Sequence, residues 1–284
     1  MLESRPLSPD RTYDHRYHIG NAGDVWKHAV WLALLGSRPP TAGPLTIVET
    51  HAGRGSYQRG PTGEWMEGLG RLGDAAGAPE AVVRLAELQG CRAGGVGERL
   101  VGSPLVTASM LRSGDRLLLH ERDADAHAAL AAAVGGQAGV TARCSDGWQA
   151  ELPEGAGRSV WFIDPPFATR EEWALTASQA IAWATAHTRA TVVIWYPIKG
   201  ASRPAALVRA LRASGLPGWF GELWTAPYDE GRNRLNGSGM AVLRPPAGLE
   251  SEVAAIGGWL GPRLAVRDGD WQLKMAGWKA AERP

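Results

Sequence analysis

Seven short β-rich runs alternate with helical patterns along most of this chain, and that alternation restricts its fold more than any other feature. The runs are TIVET (46–50), RLLLHE (116–121), VTARCS (140–145), SVWFID (159–164), TVVIWY (191–196), GELWTA (221–226) and GMAVLR (239–244). Helical periodicity fills DVWKHAVWLALL (24–35), ADAHAALAAAV (124–134), REEWALTASQAIAWATAH (170–187) and SRPAALVRALRAS (202–214). Strands separated by helices pair in parallel, because each helix carries the chain back across the sheet. Only the polar loop DEGRNRLNGS (229–238) separates the last two runs, too short for a helical crossover, so these two pair antiparallel. The expected fold is α/β: a doubly wound sheet, mostly parallel, whose last strand is antiparallel.

Between the first two strands lie far more residues than the ~30 of an ordinary β-α-β unit. Residues 56–102 are the excess. With the helical pattern PEAVVRLAELQG and Gly-rich joints, they read as a mostly helical insertion within one domain spanning 1–284. At its end, Gly102-Ser103-Pro104 reads as a helix start, with Ser as the cap and Pro in first position.

Bulk properties remove several function classes. The net charge of +1 provides no general basic field, so any nucleic-acid surface is a local patch. Arg outnumbers Lys 26 to 4, which fits either a GC-rich genome or phosphate recognition. Two cysteines, Cys91 and Cys144, are too few for a disulfide scaffold or a Cys-based zinc site. His15 and His18 form an H-x-x-H, but no geometrically convincing carboxylate or Cys partner stands near them in sequence to complete a metal set. Polar MLESRPLSPDRTYDHR lacks the apolar core of a signal peptide, and no run approaches a membrane span. A cytoplasmic monomer without metal or membrane attachment is the expectation.

Ligands of doubly wound sheets bind at the carboxyl ends of the strands. ETHAGRG (49–55) follows the first strand, with Glu49 and His51 beside two glycines that admit close backbone approach. Glu121 ends the second, where such folds keep a carboxylate for a ribose diol. Ser145-Asp146-Gly147 follows the third, where Asp146 is placed to accept from an adenine amino group. Asp164-Pro165-Pro166-Phe167 follows the fourth. No G-x-G-x-x-G follows the first strand, which disfavours a nicotinamide oxidoreductase.

D-P-P-F suits methyl transfer to an amino group conjugated with a ring. Two acceptors, the Asp164 carboxylate and the Pro165 carbonyl, would free the nitrogen lone pair. Phe167 would offer a stacking face worth ~1–3 kcal/mol. As punctuation alone, D-P-P would merely end a strand. Trp195-Tyr196-Pro197, at the end of the fifth strand, fits either a pocket wall or core packing. Arg232 and Arg234 fit either phosphate contacts or a solvated hairpin tip.

The stretches YDHRYHIGNAGDVWKH (13–28), ETHAGRGSYQ (49–58), GEWMEGLGRL (63–72), GSPL (102–105), HERD (120–123), SDGW (145–148), FIDPPF (162–167), WYPIK (195–199) and SGMAVLRPP (238–246) resemble the RlmJ-type 23S ribosomal RNA adenine-N6 methyltransferases. The resemblance implies a Rossmann-like fold using S-adenosylmethionine (SAM) on 23S ribosomal RNA. It further implies that His28, His51, Ser103, Glu121, Asp146, Gly147 and Asp164 line the cofactor site. Asp164, with Pro165 and Phe167, would be catalytic, and Tyr13 would reach over the substrate pocket beside Lys27. Phe167 stands where the family usually has Tyr, and residues 1–9 extend beyond the family pattern. Other acceptors of D-P-P-aromatic chemistry, DNA adenine and protein glutamine, remain open, as does a non-catalytic RNA-binding relative.

Overall fold

The computed structural model describes residues 18–92, 95–199, 202–227 and 235–281. Helix α1 (Ala22–Gly36) precedes the first strand, β1 (Leu45–Glu49), and is capped by Asn21, whose side chain accepts the Asp24 amide. Then come β2 (Ser56–Gln58), α2 (Glu80–Leu88), β3 (Arg99–Val101), α3 (Ser103–Ala108), β4 (Arg116–Glu121) and α4 (Ala124–Val134). The chain continues through β5 (Val140–Cys144), β6 (Arg158–Ile163), α5 (Arg170–Ala186), β7 (Ala190–Ile198), α6 (Ser202–Ala213), β8 (Gly218–Trp224), β9 (Gly237–Leu243), α7 (Leu249–Leu264) and β10 (Gln272–Trp278).

Eight strands form the main sheet in the order β10-β8-β9-β7-β6-β1-β4-β5. β7, β6, β1, β4 and β5 run parallel to one another, whereas β9 is antiparallel to both β7 and β8. The expected antiparallel pairing across the loop after β8 is therefore present. β10, which the sequence pattern did not reveal, pairs antiparallel with β8 and makes the edge.

The strand alternation divides the core between the two faces of the sheet. On β6, Val160 and Phe162 join a cluster with Trp26, Trp31 and the apolar side of α7, while Trp161 and Ile163 join another with Trp173 and Trp183 of α5. Trp31 stacks on Phe162 with ring centroids 4.5 Å apart, so α1 is fixed directly over the strand that leads into Asp164. Burial of such a side chain stabilises the fold by ~1.5–3 kcal/mol.

Among the described residues, the 56–102 segment holds one α-helix, α2, together with two 3-10 turns at Glu64–Met66 and Leu69–Arg71. Its ends meet: β2 pairs antiparallel with β3, bringing Ser56 opposite Val101. Ser103 is not the cap of α3. Gly102 holds that position, and the Ser103 hydroxyl is turned instead toward a buried carboxylate.

Candidate active site

Backbone hydrogen bonds lash together the loops that leave β1, β4, β5 and β6. Thr50 donates its amide to the Phe162 carbonyl at 3.1 Å, Ala52 to His120 at 2.9 Å, and Ser145 to Glu121 at 3.1 Å. Gly147 lies so close to Thr50 that a Cβ there would stand 1.7 Å from the Thr50 carbonyl oxygen, so no other residue fits without moving the loop. Half-exposed Glu121 accepts from the Gly53 amide and the Asp123 amide, each at 2.8 Å, which orients its carboxylate and the β1 loop together. Half-exposed Asp146 accepts the Trp148 amide at 3.0 Å. The His51 ring meets Trp148 edge-on at 4.7 Å, and its Nδ1 is 2.8 Å from the Thr50 hydroxyl. Burial, aided by Arg122 and His120, lowers the His51 pKa to about 4, so the ring is neutral near pH 7.

Beneath this rim lies a set of buried polar groups. Glu49, at the end of β1, accepts the Ser103 hydroxyl at 2.6 Å and the Thr107 hydroxyl, and Trp31 Nε1 donates to Thr107 at 2.7 Å. Burial pushes the Glu49 pKa up to about 7, with Asp164 adding to the rise and the two hydroxyls opposing it. His28 is 2% exposed and its Nε2 has no hydrogen-bond partner. Burial first, and then the Lys27 charge, lower its pKa to about 3.

Asp164 follows β6, and the Lys27 ammonium of α1 donates to its Oδ2 at 2.8 Å. The same ammonium is 2.8 Å from Oδ1 of Asp24. Burial alone would lower the Lys27 pKa, but Asp164 and Asp24 raise it beyond the ordinary lysine value. Burial would raise the Asp24 pKa, yet Lys27, His28 and the Gly20 amide bring it down to about 2. Lys27 and Asp24 are therefore both charged near pH 7. Trp195 completes the enclosure, with Lys27 Nζ 4.9 Å from its ring centroid.

A family profile described as Ribosomal RNA large subunit methyltransferase D, RlmJ, matches residues 42–278. The chain belongs to this family. Ribosomal RNA large subunit methyltransferase J of Haemophilus influenzae is 30% identical over 275 residues, which is 93% of this chain and 98% of that protein. Its namesake in Escherichia coli is 28% identical, covering 89% of this chain and 94% of its own length. A crystal structure of a Legionella pneumophila protein superposes with a TM-score of 0.82 at 25% identity, covering 91% of this chain and 98% of that one.

Of the residues that the RlmJ resemblance singles out, the structure brings His51, Glu121, Asp146, Gly147, Asp164 and Pro165 to one end of the parallel strands. Lys27 reaches it from α1 and Ser103 from α3, and buried His28 stands next to Lys27 on α1. Tyr13, Arg16, Arg232 and Arg234 lie outside the described residues. Phe167 differs from expectation. Its ring is 6% exposed and lies 4.4 Å from Trp173, so no free face awaits a base; a backbone φ of 52° turns it inward. Trp195 and Tyr196 divide the two roles left open for them. Partly exposed Trp195 borders Lys27, whereas fully buried Tyr196 donates its hydroxyl to Glu222 at 3.1 Å. Asp24 went unnoticed in the sequence, although its i,i+3 spacing to Lys27 on a helix was a signal for an ion pair.

Among the described residues, no group of three or more His, Cys, Asp or Glu is placed to hold a metal, and no helix is long and apolar enough to cross a membrane.

Proposed function

We propose that this chain transfers a methyl group from SAM to the N6 amino group of an adenine in 23S ribosomal RNA. The observation that carries the reading is the Asp164-Pro165 turn, at the mouth of a rim bearing Glu121 and Asp146, with the carboxylate held by the Lys27 ammonium. Family membership supports ribosomal RNA as the acceptor.

The rim has features that suit an adenosyl cofactor. Glu121 and Asp146 offer partly exposed carboxylates at the ends of adjacent strands, for the ribose hydroxyls and the adenine amino group. The orphaned Nε2 of His28 is a buried polar atom still lacking a partner, as a wall residue of a ligand site would be. SAM, when bound, supplies an electrophilic methyl carried on a sulfonium.

The chain's own task is to prepare the amino group. Asp164 accepts one N–H and the Pro165 carbonyl accepts the other, which withdraws the nitrogen lone pair from the ring and aims it at the methyl. Buried Pro165 and exposed Pro166 restrict the turn, so that carbonyl is held rigidly. Holding the reactants in line then supplies most of the rate. Asp164 need not be a strong base, since the nitrogen becomes strongly acidic as the new N–C bond forms. An unpaired or weakly paired adenine is the better substrate, because extruding a base from a duplex costs a few kcal/mol.

The test is transfer of labelled methyl to unmodified 23S ribosomal RNA, followed by mass spectrometry of its nucleosides. The reading requires N6-methyladenosine in that RNA. Label on another nucleoside would remove the adenine assignment, and label only on DNA or on protein glutamine would remove the RNA assignment.

A further inference from the structure

Asp24 serves two networks at once. Its Oδ2 accepts the Gly20 amide at 2.7 Å, and its own amide donates to the Asn21 side chain at 2.9 Å, so it closes the N-terminal cap of α1. Its Oδ1 lies 2.8 Å from Lys27 Nζ, and that nitrogen also reaches Asp164 at 2.8 Å. One ammonium is thus shared by two carboxylates, and none of the three side chains is more than 16% exposed. The cap is itself anchored by the 56–102 segment: Leu69 donates its amide to the Gly20 carbonyl at 3.0 Å, and Asn21 donates its side-chain N–H to Glu64 at 3.0 Å.

We propose that Asp24 is a positioning residue, which holds the Lys27 ammonium so that Asp164 can release it and accept the substrate amino group. This rests on the reading of Asp164 as the acceptor of that group. A carboxylate engaged by an ammonium in a partly dry site has less capacity for a neutral N–H. Releasing the ammonium would strand a charge away from water unless a second carboxylate waits beside it. Asp24 is that carboxylate, and it stands one turn back on the helix that carries Lys27. The transfer therefore requires rotation about lysine side-chain bonds and no movement of α1.

The cap does not need the charge. An asparagine at position 24 still presents an oxygen to the Gly20 amide, whereas an alanine presents none. This difference separates the two roles of Asp24. Asp24→Asn, Asp24→Ala and Asp24→Glu in the full chain are compared for single-turnover methyl transfer to 23S ribosomal RNA at saturating SAM and RNA. SAM affinity is measured by calorimetry, and the folded fraction by thermal denaturation.

The expected result is a fall of about tenfold or more in the transfer rate for both Asn and Ala, with SAM affinity within about twofold of wild type. Asp24→Glu, which restores the charge, recovers part of the rate. A wild-type rate in folded Asp24→Asn with a loss confined to Asp24→Ala means that only the cap matters, and overturns the proposal. Loss of SAM affinity parallel to loss of rate overturns it too. Asp164→Ala, which unlike asparagine keeps no acceptor oxygen, distinguishes the underlying reading. If it retains transfer, Asp164 is not the acceptor; if it is inactive while Asp24→Asn is unimpaired, the role of Asp24 alone fails.

Discussion

The Ser103 hydroxyl donates to Glu49 at 2.6 Å, and this bond makes an acid buried under the candidate cofactor site tolerable. Even so, burial raises the Glu49 pKa to about 7. Between the ordinary glutamate value and about 7, the folded chain keeps a proton that the unfolded chain has lost. Stability therefore falls as pH rises through that window, by up to ~3 kcal/mol, and stays lower above it. Glu49→Gln removes the titration. Urea unfolding at pH 5 and pH 8 should show the wild type losing stability between the two, and the variant losing distinctly less. Equal slopes in both proteins would mean that Glu49 does not titrate in this range.

Lys27 is expected to matter for stability as well as for chemistry. Lys27→Met leaves Asp24 and Asp164 without their shared cation in a site where neither side chain is more than 16% exposed. Breaking a buried pair from one side costs roughly 3–5 kcal/mol, with solvent access placing this site toward the lower end. Chemical denaturation that finds less than about 1 kcal/mol lost would show that the cluster is screened like a surface pair.

The sheet was legible from the sequence because its signals are local. The unbroken apolar run of β6 announces a strand buried on both faces, and the short loop before β9 announces an antiparallel return. The final helix and strand were not legible. α7 contains Gly257, Gly258, Gly261 and Pro262, which read as breakers. The structure explains one of them by close approach: a Cβ on Gly261 would stand 2.1 Å from the Trp271 ring, which leads into β10. The strand-end carboxylates of the site were legible as residue types at topological positions. The sharing of Lys27 was not, because Asp164 is 137 residues away and only the fold brings it to α1. The burial of Phe167 was hidden for the same reason, since its neighbours Trp173 and Trp195 come from α5 and β7.

Glu121 offers a test of the cofactor reading. Glu121→Gln keeps an oxygen for one of the two amides of Gly53 and Asp123, but removes the charge. Unpairing ribose hydroxyls costs ~1–3 kcal/mol, so SAM affinity should fall about tenfold to a hundredfold with little change in melting temperature. Calorimetry that finds unchanged affinity in the folded variant would take Glu121 out of the site and leave it as a brace for the β1 loop.

A carboxylate on the solvent-facing rim of a sheet would ordinarily cost little stability when removed. The partnership of Asp164 with Lys27 changes that expectation. Asp164→Ala should abolish methyl transfer and also lower stability by ~1–3 kcal/mol, less than the loss of Lys27, because Lys27 keeps Asp24. Transfer assays and denaturation on the same preparation check both parts. Wild-type transfer in the folded variant would reduce D-P-P to the end of a strand.

Phe167 separates support from stacking. Its buried ring packs 4.4 Å from Trp173 and 6.5 Å from Trp195, the residue that borders Lys27. Phe167→Ala should therefore open a cavity at a cost of ~3–5 kcal/mol and slow transfer, because the wall beside Asp164 loosens. A residue that served only to stack a base would lose RNA affinity upon truncation and keep its stability. Phe167→Tyr should be nearly neutral, since it retains the ring. The added hydroxyl also enters surroundings where the indole N–H groups of Trp173 and Trp195 both lack an acceptor. Thermal denaturation and single-turnover transfer on the two variants decide the matter. A stable Phe167→Ala with weakened RNA binding would mean that the ring turns outward to meet the base.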